Sequence, residues 1–240
     1  MPDQLFLLPG WAFGPAALQP LCEALTELAP DLDVIIEPLP ELAEAGAWLD
    51  ELDRRVPDDS WLAGWSLGGM LASQLAARRV DSCRGLVTIA SNPCFRARPQ
   101  WPEGMAPDIF DAFQEAFRLD PEETLKRFRL LCSRGGYDPR TLARQLEVSR
   151  SDSAPAVLDA GLQLLAELDG RGALHGYFGP QLHLFAGGDA LVPPTACDAL
   201  RRWMPGIEAE LIASTSHALP LERPDDVAAT IAAFIEGRAK

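Results

Sequence analysis

No apolar run in this chain approaches the roughly twenty residues that a membrane-spanning helix needs, which excludes a helical membrane span. The start, Met1-Pro2-Asp3-Gln4 followed by Leu5 to Leu8, has no basic lead and too short an apolar stretch for a signal peptide, so the cytoplasm is the expected compartment. Positive charge is short as well: 21 Lys and Arg stand against 35 Asp and Glu, a net −14, which argues against nonspecific binding to nucleic acid or anionic membrane. The five cysteines (Cys22, Cys83, Cys94, Cys132 and Cys197) are odd in number and include no C-x-x-C. Neither a disulfide framework nor a zinc site is expected, and the thiols read as reduced and packed. Internal repeats and low-complexity segments are also lacking.

What is present reads as one globular domain carrying an insertion: 240 residues, 48% hydrophobic and 23% charged. Short continuous apolar runs at 5–8, 33–36, 61–64, 85–90, 181–186 and 209–213 are β-prone and suit strands covered on both faces. Helical patterns alternate with them at 15–28, 43–55, 67–79, 194–203 and 225–236, as a mostly parallel α/β sheet of about six strands requires. Between Cys94 and Tyr177 strand signals vanish, and amphipathic stretches at 107–117, 121–132, 139–149 and 156–168 are separated by Pro, Gly and Asp turns. The expected division is a core of residues 1–93 and 177–240 with a helical cap of residues 94–176.

The most informative stretch is Gly64-Trp65-Ser66-Leu67-Gly68, a G-x-S-x-G sequence between a strand-like run (60–63) and a helix-like one (70–79). A serine on so tight a strand-to-helix turn points its hydroxyl out of the sheet, and side chains at the flanking glycines would collide with the neighbouring strand and helix. A serine hydroxyl is a poor nucleophile at neutral pH and needs a base oriented by an acid. The chain has three histidines to supply the base. His183 lies inside a strand pattern and reads as a satisfied structural residue, and His175 reads as a turn or surface residue at the end of the cap. His217 follows the last strand on a loop at the carboxyl edge, where α/β sheets place ligands and catalysis. Asp189, directly after the penultimate strand, is the expected acid, with helix capping or turn shaping as its alternative role. The oxyanion of an acyl transfer needs two backbone N–H donors. Leu67 supplies one, and the loop Leu8 to Gly14 the other, with Trp11 the best donor. Trp11, Phe13 and Trp65 either wall an acyl pocket or belong to the core.

These residues resemble the α/β-hydrolases that combine a Ser-Asp-His triad with a helical cap, and among them the carboxylesterases that demethylate pimeloyl-acyl-carrier-protein methyl ester in biotin biosynthesis. The resemblance rests on Gly10-Trp11, Gly64 to Gly69, Gly85 to Phe95 with Trp101-Pro102, Lys126-Arg127-Phe128, Asp189 to Pro193 and His217-Ala218, and runs through nearly the whole chain. The Ser91-Asn92-Pro93-Cys94-Phe95 to Trp101 stretch is its most specific part. It implies an α/β-hydrolase fold and an acyl-enzyme on Ser66, with His217 as proton carrier, Asp189 holding His217, methanol as leaving group and no metal or organic cofactor. It also implies an acyl carrier protein as partner of a monomer, with Arg127, Arg140 and Arg144 of the cap facing the carrier. Phe113, Phe117 and Phe128 either line the cap side of the acyl channel or form the cap's own core. From Arg118 to Arg150 eight basic residues face five acidic ones, a net +3 that leaves −17 for the rest, and arginine suits both an acidic carrier and its phosphopantetheine phosphate. A solvated cap face is the alternative for these arginines.

The chain departs from the family at Pro9-Gly10, where relatives usually have His-Gly, and at Glu37-Pro38-Leu39-Pro40-Glu41, which replaces a glycine-rich turn. The two antiparallel strands that open the fold in many relatives are expected to be missing. Rival functions are a general short-chain carboxylesterase or C–C bond hydrolase of the same fold, which would need no basic cap, and a noncatalytic ligand-binding relative, which need not keep all three triad residues.

Overall fold

Six short apolar runs become the strands of one sheet in the computed structural model, which describes residues 3–238. They are β1 (Asp3–Leu8), β2 (Leu32–Ile36), β3 (Ser60–Trp65), β4 (Cys83–Ile89), β5 (Gln181–Ala186) and β6 (Glu208–Ile212), in the order β2-β1-β3-β4-β5-β6 with every neighbouring pair parallel. Burial follows position in the sheet. All six residues of β3 and of β5 are buried, whereas edge strands β2 and β6 keep several side chains partly exposed. Side chains on both faces of the inner strands enter the core, so their sequences are largely apolar rather than alternating.

The flanking helices are α1 (Gln19–Leu28), α2 (Trp48–Arg55), α3 (Leu67–Arg79), α9 (Thr195–Trp203) and α11 (Pro224–Glu236), with short 3₁₀ turns at Pro15–Ala17 and Ala45–Ala47 leading into α1 and α2. Helix α1 packs against α11, and α2 against α3. Proline opens α11 at its first position, where the missing N–H costs no hydrogen bond. Between β4 and β5 the chain runs through α4 (Pro107–Leu119), α5 (Pro121–Ser133), α6 (Pro139–Val148), α7 (Pro155–Glu167) and α8 (Arg171–Gly176). Four of these five begin with proline, and the Asp120 and Asp138 side chains cap α5 and α6 by accepting the N–H groups of Glu123 and Thr141. The sequence pattern gives no sign of α8 or of α10 (Leu219–Glu222), because six and four residues are too few to show a 3.6-residue period. Among the described residues no helix is long and apolar enough to cross a membrane.

Strand order reverses between β1 and β3: the chain steps from β1 outward to β2, then returns to pair β3 on the other side of β1. Ligands of open α/β sheets bind at such a reversal, beyond the carboxyl ends of the strands. Ser66 follows β3 there, and the Pro9–Gly14 loop follows β1. Backbone at positive φ gathers on this edge, at Ala12 (64°), Ser66 (54°), Ala90 (44°) and Ser214 (56°), all non-glycine residues just past β1, β3, β4 and β6. Such conformations cost on the order of 1–3 kcal/mol each and persist only where the surroundings enforce them.

Candidate active site

Ser66 joins β3 to α3 with φ 54° and ψ −118°, and the turn is held from three sides. Its N–H donates to the Ile89 carbonyl at 2.9 Å, its carbonyl accepts the N–H groups of Gly69 and Met70, and the Ser91 hydroxyl donates to the same carbonyl at 2.8 Å. Glycine is required on both sides by close approach. A Cβ at Gly64 would overlap the backbone of Gly68 and Gly69, and one at Gly68 would overlap the carbonyls of Leu8 and Pro9. The Pro9 carbonyl thus abuts the elbow directly, which fixes the β1 loop against the turn.

The loops after β5 and β6 bring two further side chains to Ser66. His217 Nε2 lies 2.9 Å from Ser66 Oγ, and His217 Nδ1 lies 2.8 Å from Asp189 Oδ2. Asp189 Oδ1 accepts the N–H groups of Leu191 at 2.8 Å and Val192 at 3.0 Å, so this carboxylate shapes its own turn and orients the imidazole at once. With Nδ1–H donated to the carboxylate, Nε2 is left as the acceptor for the serine proton. Ser66, Asp189 and His217 are 6%, 7% and 1% exposed, and in so dry a setting hydrogen bonds between polar groups are stronger than in water. His217 is fixed from the far side too, because Trp65 Nε1–H donates to its carbonyl at 2.8 Å.

Hydrogen bonds inside the two turns use the N–H groups of Gly69, Met70 and Phe13, leaving those of Leu67 and Trp11 out. Leu67 opens α3, whose N-terminal end carries partial positive charge. The Trp11 loop is pinned to the helices above it: the Ser151 N–H donates to the Ala12 carbonyl, the Gly14 N–H to the Ser149 carbonyl, and the Trp11 indole N–H to the Leu158 carbonyl at 2.8 Å. Phe113, Phe117 and Phe128 set their edges to the Trp11 ring, at 5.8, 5.6 and 4.8 Å between centroids. Phe13 stacks on Trp65 at 4.8 Å, and Trp65 neighbours the His217 ring. One aromatic cluster therefore joins α4 and α5 to the elbow, and Phe128, buried within it, touches both Trp11 and Phe13. A cavity of about 70 Å³ borders Trp11, Phe13, Leu39, Trp48 and Leu158.

The remaining sequence-based candidates lie away from this centre. Arg127, Arg140 and Arg144 are exposed on α5 and α6; Arg127 pairs with Glu123 at 3.1 Å, Arg144 donates to the Thr141 hydroxyl, and Arg140 has no ion-pair partner among the described residues. Arg129, which counts toward the positive charge of this stretch, is buried and paired with Glu147 at 2.5 Å, so it adds little to the surface field. His183 departs from expectation in part. Its Nδ1 is 2.7 Å from the Thr88 hydroxyl, but Nε2 is buried without a partner among the described residues, and burial lowers its pKa to about 3. His175 is exposed beside Trp203.

The Ser91 to Trp101 stretch has a structural role that its sequence alone does not announce. Ser91 buttresses the elbow, and a Cβ at Gly69 would come within 2.7 Å of the Ser91 side chain. Asn92 Oδ1 accepts the Trp101 indole N–H at 2.8 Å, and Asn92 Nδ2 donates to the Glu103 carbonyl, closing the segment into a compact loop. In the turn from Glu37 to Glu41, Glu37 pairs with Arg55 and Glu41 accepts the Ser153 hydroxyl at 2.5 Å.

The chain is similar to several known proteins. The pimeloyl-[acyl-carrier protein] methyl ester esterase of Aromatoleum aromaticum is 35% identical over 98% of this chain and 99% of its own length. The biotin biosynthesis bifunctional protein BioHC of Cellvibrio japonicus is 35% identical over 97% of this chain, which spans about half (47%) of that longer protein. The crystal structure of a bromoperoxidase from Bacillus anthracis superposes with a TM-score of 0.84 at 17% identity, over 98% of this chain and 92% of that one, a likeness of fold. The family model described as the alpha/beta hydrolase family matches residues 5–230, and the chain belongs to that family.

Proposed function

We propose that this chain is a serine carboxylesterase that hydrolyses the methyl ester of pimeloyl-[acyl-carrier protein], giving methanol and the free acid for biotin biosynthesis. The observation that carries the chemistry is the hydrogen-bonded line from Ser66 Oγ through His217 to Asp189. The relatives' names support the substrate, at an identity sustained over nearly the whole chain.

In this reading His217 Nε2 takes the proton of Ser66 as Oγ attacks the ester carbonyl, and the Asp189 carboxylate offsets the imidazolium charge. The N–H groups of Leu67 and Trp11 receive the oxyanion, each worth around a hundredfold or more in rate. Collapse of the tetrahedral intermediate expels the methoxy group, which takes the proton from His217 and leaves as methanol. Water enters, gives its proton to His217 and attacks the acyl-enzyme. The second collapse returns the proton to Ser66 and releases the pimeloyl chain with its distal carboxylate free.

Residues 94–176, which carry α4 to α8, serve as the cap over this site, and residues 1–93 and 177–240 as the core. Ser66 and His217 are almost wholly buried, so the cap shifts to admit the acyl chain. Arg127, Arg140 and Arg144 on the outer face of α5 and α6 attract the acidic carrier, whose body stays outside while its acyl arm reaches Ser66. The chain acts as a cytoplasmic monomer.

The test pairs two measurements. Ser66→Ala abolishes ester hydrolysis and labelling by a fluorophosphonate while leaving thermal unfolding unchanged. The wild-type gene, but not Ser66→Ala, restores biotin-free growth to a strain lacking its pimeloyl ester demethylase. Turnover near wild type in Ser66→Ala overturns the nucleophile, and failure of the wild-type gene to restore growth overturns the substrate.

A further inference from the structure

One carboxylate joins the cap to the loop of the histidine. Glu222, the last residue of α10 and five positions beyond His217, accepts three hydrogen bonds from two distant parts of the chain. Its Oε2 takes the N–H and the hydroxyl of Ser216, both at 2.7 Å, and its Oε1 takes the Tyr137 N–H at 2.8 Å. Ser216 immediately precedes His217 and is fully buried; its Oγ in turn accepts the Ala218 N–H at 3.3 Å. Tyr137 belongs to the turn between α5 and α6.

Two other contacts bind the end of α5 and that turn to the same loops. The Ala218 N–H donates to the Cys132 carbonyl at 3.2 Å. Gly135, at φ +89°, approaches Gly188 so closely that a Cβ would overlap the Gly188 carbonyl, and Gly188 precedes Asp189. The end of α5 and the turn after it therefore reach Ala218 directly, Ser216 through Glu222, and Gly188, the residue before Asp189. No Lys, Arg or His pairs with Glu222 among the described residues, and neighbouring Arg223 pairs with Asp226 instead. Its charge is met by N–H and O–H groups alone, which suits a geometric clamp better than an ion pair. On its outer side the clamp faces a surface groove of about 500 Å³ bordered by Tyr137, Leu142 and Arg223, so the Tyr137 bond can exchange for water when the cap moves.

We infer that Glu222 is a positioning residue: it holds the His217 backbone in register with Ser66 and couples that register to the seating of the α5–α6 turn. The inference rests on the proposed roles of Ser66 and His217. Hydrogen bonds to buried Ser216 fix the residue next to the base, where a displacement well under 1 Å weakens proton transfer. Substrate need not touch Glu222 for its loss to slow turnover.

The test uses the full chain and p-nitrophenyl butyrate. Glu222→Ala lowers kcat by about tenfold or more while KM stays within about twofold, and fluorophosphonate labelling of Ser66 slows by the same factor. Glu222→Gln, which keeps one carbonyl acceptor but presents an amide on its other side, recovers part of the loss. Ser216→Ala costs less kcat in the Glu222→Ala background than in wild type, because both changes remove one interaction. A folded Glu222→Ala enzyme with kcat within twofold of wild type overturns the inference, as do kcat losses that are additive with Ser216→Ala or that vanish when folded fractions are matched. If Glu222→Ala does not fold, Glu222→Gln decides by the same criteria. Ser66→Ala, run alongside, separates the two layers: residual turnover there removes the triad itself, whereas an inert Ser66→Ala beside an unaffected Glu222→Gln removes only the clamp.

Discussion

The indole N–H of Trp65 donates to the carbonyl of His217 at 2.8 Å, so the residue before the proposed nucleophile fixes the backbone of the proposed base, 152 positions away in sequence. Trp65 is fully buried and stacked on Phe13. Trp65→Phe keeps an aromatic ring against Phe13 but removes the donor and some buried volume, leaving the His217 carbonyl unpaired. The expected result is a loss of about 1–3 kcal/mol in unfolding free energy and a fall in kcat of several-fold with KM for small esters unchanged. Denaturant unfolding and steady-state kinetics check it; a variant as stable and as fast as wild type would show that the bond holds nothing in place.

The elbow makes a sharper demand. A Cβ at Gly68 runs into the carbonyls of Leu8 and Pro9, backbone atoms that cannot swing aside as a flexible side chain would. Gly68→Ala therefore separates the β1 loop from the elbow, and with it the N–H of Trp11 from that of Leu67. Activity falls by at least about a hundredfold, the scale of one lost oxyanion donor, and the melting temperature drops. Gly46→Ala, where a Cβ meets no atom within 4 Å, serves as the control and leaves kcat unchanged.

Acid sensitivity follows from His183. Its folded pKa of about 3 lies below the ordinary value of 6.5 because burial disfavours the imidazolium. A depressed folded pKa means that the unfolded chain binds the proton first, so the stabilisation is whole above pH 6.5 and drains as pH falls from 6.5 toward 3, at up to about 1.4 kcal/mol per pH unit. Asp169, held well below the usual carboxylate range chiefly by hydrogen bonds from the Arg171 side chain, adds its own loss only below about pH 4. Unfolding free energy measured from pH 6.5 to 4.5 therefore reports mainly His183, and His183→Gln flattens that slope. An equal slope in the variant would assign the acid loss elsewhere.

The sheet was legible because buried parallel strands leave short, mostly apolar runs: 181–186 in the sequence became β5, residue for residue. Ser66, Asp189 and His217 were legible because each stands just past a strand, and the structure brings them within hydrogen-bond distance. The unpaired Nε2 of His183 was not, since a strand pattern tells that a side chain is buried and not whether both ring nitrogens find partners. Arg129 reads as one more cap cation, yet its place on the inner side of α5 pairs it with Glu147. Ser91 and Glu222 were illegible for a common reason: most of their partners, the Ser66 carbonyl and the N–H groups of Ser216 and Tyr137, are backbone atoms.

Cap charge is tested with salt. Replacing Arg127, Arg140 and Arg144 together by alanine raises KM for a carrier-protein ester by about tenfold and leaves p-nitrophenyl butyrate hydrolysis within about twofold. Raising ionic strength from roughly 0.05 to 0.5 M weakens wild-type turnover of the carrier substrate and not that of the small ester, and the triple variant loses this salt dependence. Equal losses on both substrates would return the arginines to a solvated surface.

The most direct test of the account is to mix the purified protein with pimeloyl-[acyl-carrier protein] methyl ester and follow methanol release together with the mass of the intact carrier. The account predicts that wild type converts the ester to the free acid with methanol in equal amount, and that Ser66→Ala leaves it untouched. A wild-type enzyme that hydrolyses p-nitrophenyl butyrate yet leaves the carrier-bound methyl ester intact would contradict it.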